Sequence, residues 1–331
     1  MRTKKERNIF MTKQFRSPKI NNGLPLGGTE LQSKLIYSRL TSKLLKNKNI
    51  ILSTCDPKRL KKDEINIIWQ QLSYDQQNVQ RMKDRKFVDD VDWFVFNSHW
   101  SFNEFRRRFN CPEYKSRVIQ NCIAPFPFKI KKPKDKIKLI YTSTPWRGLA
   151  VLVRAIERLN ETRKDFEVDV YSSTEIYGEG FAEAMGTKFE AVFSKCREIP
   201  NINFKGYAQN DQVRGALMNA HIFAYPSVFE ETSCIAAIEA LAAGCRVVTT
   251  NYGALPETCG SFARYVEFET DAGRLIDNYA AALDEEMNNI YSTETKHDLD
   301  LQINHYNTRW SVVQRIKTWE AFLGQADTNS G

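Results

Sequence analysis

The stretch Tyr225-Pro-Ser-Val-Phe-Glu-Glu-Thr-Ser-Cys-Ile-Ala-Ala-Ile-Glu-Ala-Leu-Ala-Ala-Gly244 joins the end of an apolar strand to a helix. Residues 221–225 predict a buried strand, and Pro226 ends it because proline cannot donate to a strand ladder. Residues 245–250 predict the next strand. The order of strand, loop, helix and strand indicates a parallel sheet in an α/β domain.

The helix within this stretch has recognisable ends. Thr232 or Ser233 can accept a hydrogen bond from the first turn and act as the N-cap. The apolar pattern continues to about Ala243, and Gly244 is expected to stop the helix in the left-handed conformation. The N–H groups of residues 232–234 would then point outward with the positive end of the helix dipole, which suits a phosphate group.

Two carboxylates accompany this helix, Glu231 just before it and Glu239 inside it. A separation of eight residues corresponds to roughly two helical turns. Both carboxylates could therefore accept hydrogen bonds from hydroxyls of one ligand. The alternative is that Glu231 only complements the helix dipole and that Glu239 is solvated.

This spacing resembles the glutamate-x7-glutamate signature of retaining family-4 glycosyltransferases, with Glu-Thr-Ser-Cys-Ile in place of Glu-Gly-Phe-Gly-Leu. The resemblance implies the GT-B fold, in which two Rossmann-like parallel-sheet domains face each other across a cleft. It implies that Glu231 contacts donor-sugar hydroxyls and that Glu239 holds the nucleotide ribose. It also implies a reaction that retains anomeric configuration, uses a nucleotide sugar as co-substrate and needs no metal or cofactor.

A second segment runs from the apolar strand at 138–142 through Ser143-Thr-Pro-Trp-Arg-Gly-Leu149 into another helix. The family places a basic residue directly before the glycine that opens this helix, so the resemblance implies that Arg147 grips the pyrophosphate. Arginine suits a two-pronged hold on phosphate oxygens. Ser143 and Thr144 stand where many members carry a second basic residue. A surface arginine at a helix start is the alternative interpretation of Arg147.

Near the N-terminus, a predicted strand at 8–12 is followed by Gly23-Leu-Pro-Leu-Gly-Gly-Thr-Glu30 and a helix from about Thr29. Adjacent glycines let the backbone approach a ligand without a Cβ clash. The segment resembles the glycine-rich loop that faces the donor phosphates in the family, although such a pair is most often only a turn.

Two further segments extend the resemblance. In the first, Asn203-Phe-Lys-Gly206-Tyr207, the backbone after the glycine is implied to approach the nucleobase. The second, Asn251-Tyr-Gly-Ala-Leu-Pro-Glu257, keeps one glycine of a family turn and is expected to be structural. The resemblance implies catalytic roles for Arg147, Glu231 and Glu239, and donor binding by Gly27, Gly28, Ser143, Gly148, Gly206, Tyr207, Thr232, Ser233, Cys234 and Ile235.

The largest departure from the family lies in the first half of the chain. Members often carry a histidine after the strand that here ends in Gln70 and Gln71. His99, at the carboxyl end of a predicted strand, is one candidate substitute, and Asp75 is another. A histidine near a helix cap without a catalytic role is the favoured interpretation of His99.

Composition is typical of a well-packed soluble protein, with 331 residues, 42% apolar and 27% charged, which fits two domains. The cysteines form no Cys-x-x-Cys pair, which argues against a disulfide framework or a zinc site and favours a reducing cytoplasm. The basic N-terminal segment is followed by too few apolar residues for a signal peptide or a spanning helix.

Charge divides the chain in two. Residues 1–136 hold 30 Lys and Arg against 13 Asp and Glu, a net +17, and the remainder holds 18 against 27, a net −9. The resemblance implies that the N-terminal domain holds the acceptor, a glycan or lipid-linked molecule, and its basic charge suggests that the acceptor is anionic or that the domain makes peripheral contact with an anionic membrane. Nucleic acid is a less favoured partner, and a solvated lysine-rich surface is the plain alternative.

The predicted domain boundaries follow the strands and the prolines. A stretch with three prolines and a lysine run predicts a linker at 125–136 between an acceptor-side domain at 1–124 and a nucleotide-sugar domain at 137–305. The resemblance implies that a last helix at 306–325 packs back toward the first domain. Strands are predicted at 49–53, 65–70, 93–98, 117–122, 138–142, 166–171, 202–205, 222–225 and 246–250.

Two other functions remain open at this stage. Tryptophans and tyrosines interleaved with the basic first half fit a glucosyltransferase that modifies DNA, which steep salt dependence would reveal. The missing histidine and the missing second basic residue fit a nucleotide-sugar-binding protein without catalysis.

Overall fold

The computed structural model describes residues 27–175 and 179–326. The predicted strand at 8–12 and the first part of the glycine-rich segment lie outside these ranges. The chain divides into two compact units, which are described separately. The first comprises residues 28–122 and 312–326 of the described chain, and the second comprises residue 27 and residues 123–311.

The first unit contains a four-stranded sheet in the order β1-β2-β3-β4, and every adjacent pair is parallel. Its central strands are buried along most of their length, as expected when helices cover both faces of a parallel sheet. The strands are Lys48–Leu52 (β1), Ile65–Gln70 (β2), Trp93–Phe96 (β3) and Ser116–Val118 (β4), and the helices among them are Gly28–Tyr37 (α1), Ser42–Leu45 (α2), Arg85–Asp90 (α3) and His99–Phe109 (α4).

The second unit contains a six-stranded parallel sheet in the order β10-β9-β8-β5-β6-β7. The strands are Ile137–Thr142 (β5), Phe166–Tyr171 (β6), Ile202–Phe204 (β7), Ile222–Tyr225 (β8), Arg246–Thr250 (β9) and Ala263–Val266 (β10). The helices are Leu149–Leu159 (α5), Glu179–Glu198 (α6), Asn210–Asn219 (α7), Ile235–Ala242 (α8), Leu255–Cys259 (α9), Ala272–Asn289 (α10) and Thr293–Arg309 (α11).

This strand order places β5, the first strand of the sheet, beside β8, the fourth. The chain adds β6 and β7 on one side of β5 and then crosses to build β8, β9 and β10 on the other. The winding direction therefore reverses between β5 and β8. In open α/β sheets, ligands bind at this switch point.

The last helix, Val312–Ala326 (α12), belongs to the first unit. Trp319, Phe322 and Leu323 are buried in the same cluster as Trp69 and Trp93 of the sheet. The ring of Trp319 meets that of Trp69 edge to face, with centroids 4.9 Å apart. The last helix was predicted at 306–325, and its predicted first residue was wrong. Helix α11 continues to Arg309, and α12 begins at Val312.

Two strand predictions also need correction. The strand predicted at 117–122 ends at Val118, because the backbone N–H of Cys122 donates to Gln32 of α1 at 2.9 Å instead of to a strand partner. Strand β10 was missed, since it is a partly exposed edge strand without a continuous apolar run. The predicted α/β class with two parallel sheets is confirmed.

Candidate functional site

Two loops meet at the switch point of the second unit. Residues 143–148 follow β5 and residues 226–234 follow β8, which are neighbouring strands. Gly148 has a φ of +123°, and a Cβ atom there would lie 2.0 Å from the carbonyl oxygen of Pro226. The backbones of the two loops are therefore in direct contact, and only glycine permits this approach.

This contact brings Arg147 to Glu231. The guanidinium Nη1 of Arg147 donates to Oε1 of Glu231 at 2.6 Å, and the carboxylate is buried whereas the Arg147 side chain is 26% exposed. The guanidinium also lies over the ring of Phe229, 4.5 Å from its centroid. One partly exposed cation and one buried anion, 84 positions apart in sequence, thus form the centre of the candidate site.

Glu231 is held from two further directions. The hydroxyl of Tyr225, a fully buried residue at the end of β8, donates to the same Oε1 at 2.5 Å. The N–H of Ala254 donates to the Glu231 carbonyl at 2.7 Å, and a Cβ on Gly253 would lie 2.6 Å from the Glu231 nitrogen. Both side-chain bonds end on Oε1, and within the described ranges Oε2 accepts no hydrogen bond.

The helix after this loop starts later than predicted. Helix α8 begins at Ile235, with Cys234 as the N-cap and no side-chain capping bond. The prediction of a Thr232 or Ser233 cap was therefore wrong: both residues are buried in the loop before the helix. Gly244 has the predicted left-handed conformation, with φ +71°. The uncapped N–H groups of the first turn of α8 lack intrahelical acceptors, as at every helix start.

Glu239 lies within α8 and pairs with residues of α7. Nη1 of Arg214 donates to its Oε1 at 2.7 Å, and Nδ2 of Asn210 donates to Oε2 at 3.2 Å. Burial raises the pKa of Glu239, and the nearby Arg214 opposes the shift. Glu239 is therefore an internally paired carboxylate and not a solvated one.

Arg214 is a site residue that the sequence analysis missed. Besides Glu239, it donates to the carbonyl of Ala124 at 2.9 Å and stacks on Phe126 with 3.7 Å to the ring centroid. Asn210 and Arg214 are four positions apart on α7, so they face the same side of one helix. This spacing could have predicted that the two side chains act together. The sequence alone does not show that they contact Glu239, which lies 25 positions after Arg214.

The remaining predicted residues occupy separate places. Gly206 has φ +66° after β7, and burial raises the pKa of the half-buried Tyr207 beside it.

His99 is the exposed first residue of α4, and Asp75 accepts a hydrogen bond from the side chain of Gln76 at 3.0 Å; both lie in the first unit. Gly28 begins α1, Gly27 precedes it, Ser143 and Ile235 are half-buried, and Cys234 is a buried thiol.

Two further observations concern the described ranges as a whole. They contain no group of three or more histidine, cysteine, aspartate or glutamate residues placed to hold a metal ion. None of the helices there combines the length and the apolar character that crossing a bilayer requires.

The switch-point site lies within the region that comparison with known families identifies. The family of glycosyl transferases group 1 matches residues 124–308, more than half of the chain. The chain belongs to the glycosyl transferases group 1 family. An uncharacterized glycosyltransferase of Methanocaldococcus jannaschii is 27% identical over 167 residues, which are 45% of this chain and 40% of that relative's length.

Several solved glycosyltransferase structures share the fold of this chain. A glycosyltransferase from Rickettsia africae has a TM-score of 0.67 at 14% identity, covering 96% of this chain and 85% of its own. Anabaena HepE, solved in complex with UDP-glucose, has a TM-score of 0.58 at 13% identity, covering 89% of this chain and 77% of its own. These likenesses confirm the GT-B class of the group 1 chain described here.

Proposed function

We propose that this protein transfers a sugar from a nucleotide-sugar donor to an acceptor, with retention of the anomeric configuration and without a metal ion. The observation that carries the proposal is the contact between Arg147 and Glu231 at the switch point of the six-stranded sheet. A partly exposed guanidinium and an oriented carboxylate meet there a few residues before the start of α8.

The departing diphosphate is the part of the reaction that needs stabilisation most. Arg147 can hold phosphate oxygens with its planar donors, and the first-turn N–H groups of α8 add the positive end of a helix dipole. Preorganised donors of this kind are each worth about 3–4 kcal/mol in the transition state. The chain thus supplies its own positive charge where a metal ion would otherwise act.

The carboxylates orient the rest of the donor. Glu231 offers Oε2 to a hydroxyl of the sugar while Oε1 stays bound to Tyr225 and Arg147. Glu239, fixed by Arg214 and Asn210, accepts from a ribose hydroxyl. The backbone after Gly206 lies at the end of β7 and approaches the base. HepE is named as a complex with UDP-glucose, which makes a UDP-hexose the first donor to test.

The acceptor is proposed to be a glycan or a lipid-linked glycan in the cytoplasm. The net charge of +17 on residues 1–136 would favour contact with an anionic carrier or membrane surface.

A donor screen tests the proposal. UDP-, GDP-, ADP- and dTDP-sugars are added to the purified protein, and a donor at about a hundred times its Kd should add roughly 2.7 kcal/mol to the free energy of unfolding. Hydrolysis or transfer of the bound donor is then followed by NMR, which reads the anomeric configuration of the first product. The proposal fails if no donor stabilises the protein, if bound donors are never turned over, or if the product is inverted.

A further inference from the structure

Uncharged polar residues are buried at the carboxyl ends of all four strands in the first unit. Each follows or ends its strand, none carries an ionisable side chain, and their exposed fractions lie between 1% and 7%. We refer to them as the amide cluster: Ser53 after β1, Gln70, Gln71 and Ser73 at the end of β2, Asn97 after β3 and Asn121 after β4.

Gln71 is the centre of the amide cluster. Its Nε2 donates to Oδ1 of Asn121 at 2.9 Å, and its Oε1 accepts from Nδ2 of Asn97 at 3.2 Å. Its backbone N–H lies 3.2 Å from the hydroxyl oxygen of Ser53. These bonds link the ends of all four strands and hold the polar side chains in a fixed arrangement.

Two members of the amide cluster have polar atoms without partners. Nε2 of Gln70 and the hydroxyl of Ser73 make no hydrogen bond to any residue in the described ranges, although Gln70 is 1% exposed and Ser73 is 5% exposed. Buried polar groups are normally satisfied, and leaving them unpaired destabilises the fold. Their position at the carboxyl edge of a parallel sheet is where such sheets bind ligands.

Aromatic rings lie on the same loops. Tyr74 follows Ser73, Trp100 lies at the start of α4, and their ring centroids are 6.4 Å apart. Both are half-buried, and along the chain Tyr74 directly follows Ser73 while Trp100 comes three residues after Asn97. Arg108 stacks on Tyr74, and its charge is already paired with Glu104. Aromatic faces beside amide donors match a ligand with apolar C–H faces and many hydroxyls.

We propose that the amide cluster binds an uncharged sugar ring, the part of the acceptor that receives the transferred residue. A phosphate or carboxylate would be desolvated there with no cationic member of the cluster to compensate it, at a high cost in free energy. The inference rests on the proposed function and corrects the expectation of an anionic acceptor. The positive charge of the first half would then contact the carrier and not the reacting sugar.

Binding of simple sugars to the full chain tests this inference. Methyl glycosides of glucose, galactose, mannose and N-acetylglucosamine, together with glucose 6-phosphate and mannose 6-phosphate, are titrated calorimetrically with and without UDP. At least one methyl glycoside should bind, and more tightly than either phosphate. Gln70→Met should weaken that binding about fivefold to tenfold, as expected for one neutral hydrogen bond, and Ser73→Ala should weaken it in the same direction.

Thermal unfolding separates a ligand-binding role from a structural one. Gln70→Met removes an unpaired donor and loses only the long 3.5 Å hydrogen bond that Oε1 accepts from the N–H of Leu72, so its Tm should equal or exceed that of the wild type. The matched control is Asn66→Leu, because Asn66 is a buried residue in the same strand whose side-chain amide is hydrogen-bonded to Asn49, Lys61 and Glu64. That control should lower the Tm and leave sugar binding unchanged.

The outcomes distinguish this inference from the proposed function. If UDP binds but no methyl glycoside does, or if the 6-phosphates bind more tightly, the inference is overturned and the donor chemistry stands. Unchanged sugar binding in both Gln70→Met and Ser73→Ala also overturns it. If none of UDP, GDP, ADP and dTDP binds under the same conditions, the proposed function itself is lost.

Discussion

Arg147 and Glu231 illustrate how much depends on single side chains in this protein. The two side chains form an ion pair, so each neutralises the charge of the other where water is largely excluded. The Glu231 side chain is buried, whereas 26% of the Arg147 side chain is exposed. That combination leaves the guanidinium accessible to a ligand while its orientation is fixed. Tyr225 contributes no charge, but it fixes which carboxylate oxygen faces inward.

Arg147→Ala should lower turnover of the donor about 10²-fold to 10³-fold, because a preorganised charge at the leaving diphosphate is lost. Arg147→Lys should recover only part of this loss, since an ammonium group cannot make the bidentate contact. Arg154→Ala is the control, because Arg154 is an exposed arginine on α5 whose ion pair in the described part of the chain is with Glu157. The measurement is kcat and KM for the donor in steady-state kinetics. An Arg147→Ala protein with wild-type kcat would contradict the proposed role of Arg147 at the diphosphate.

Tyr225→Phe should reduce kcat about tenfold by removing the hydroxyl that orients Glu231, while the buried ring remains. If Tyr225 acts only through this carboxylate, the change should have no further effect once Glu231→Ala is present. The four proteins of this double-mutant cycle are compared in kcat and KM. Independent, additive losses would show that Tyr225 has another role.

At the scale of elements, the site depends on how closely loops approach. The turn at Gly148 carries the chain from the loop with Arg147 into α5, and it presses against Pro226. The start of β8 is held to β5 by a side chain as well. The backbone N–H of Lys138 donates to Nδ1 of His221 at 3.0 Å, which extends the contact between β5 and β8.

Gly148→Ala should destabilise the protein by about 2–4 kcal/mol, because it adds a strained φ and a clash with the Pro226 carbonyl. Gly215→Ala provides the contrast, since Gly215 lies within α7 with open space around its missing Cβ. That substitution should stabilise the protein by about 0.5–1 kcal/mol. Chemical denaturation measures both, and equal effects would contradict the structural account.

His221 predicts a pH dependence of stability. Burial lowers the pKa of His221 below its usual 6.5, with help from Lys132 and Lys138. The unfolded chain therefore binds the proton more readily, so stability is complete above pH 6.5 and falls as the pH drops toward the lowered value. The slope is at most about 1.4 kcal/mol per pH unit.

The measurement is Tm between pH 7.5 and 4.5. His221→Asn keeps an acceptor for Lys138 and should flatten the acid side of the curve. His297→Asn removes an exposed histidine of α11, and its Tm should fall with decreasing pH as steeply as that of the wild type. Parallel curves for all three proteins would rule out the assignment to His221.

At the scale of the whole molecule, the chain leaves the first unit after Cys122 and returns to it at Val312. Helix α12 then completes a core that residues 28–122 begin, because Trp319, Phe322 and Leu323 pack with Trp69 and Trp93. The first unit therefore depends on residues from both ends of the described sequence.

Trp319→Ala should destabilise the protein by about 3–5 kcal/mol, as expected when a large buried aromatic is removed from a core. Leu301→Ala, on an exposed position of α11, should change stability by less than about 0.5 kcal/mol. Urea denaturation monitored by tryptophan fluorescence compares them. A Trp319→Ala protein as stable as the wild type would show that α12 is not part of this core.

The sequence by itself determined the α/β class, most strand positions and which residues follow β5 and β8. Continuous apolar runs ending in proline or glycine, and a helix closed by Gly244, are local signals that neighbouring residues suffice to produce. The position of the α8 cap could not be predicted in this way, because Thr232 and Ser233 are good caps by type but are buried in the preceding loop.

Only the tertiary structure decided which groups meet. Parallel strands that are distant in sequence become neighbours, so Arg147 reaches Glu231 across 84 positions and Arg214 reaches Glu239 from another helix. The amide cluster arises in the same way, since its members follow four different strands whose adjacency no local pattern encodes. Local sequence preferences determine where the helices and strands form. Strand order determines which charged and amide side chains come together, and they pair because burying them unpaired would cost free energy.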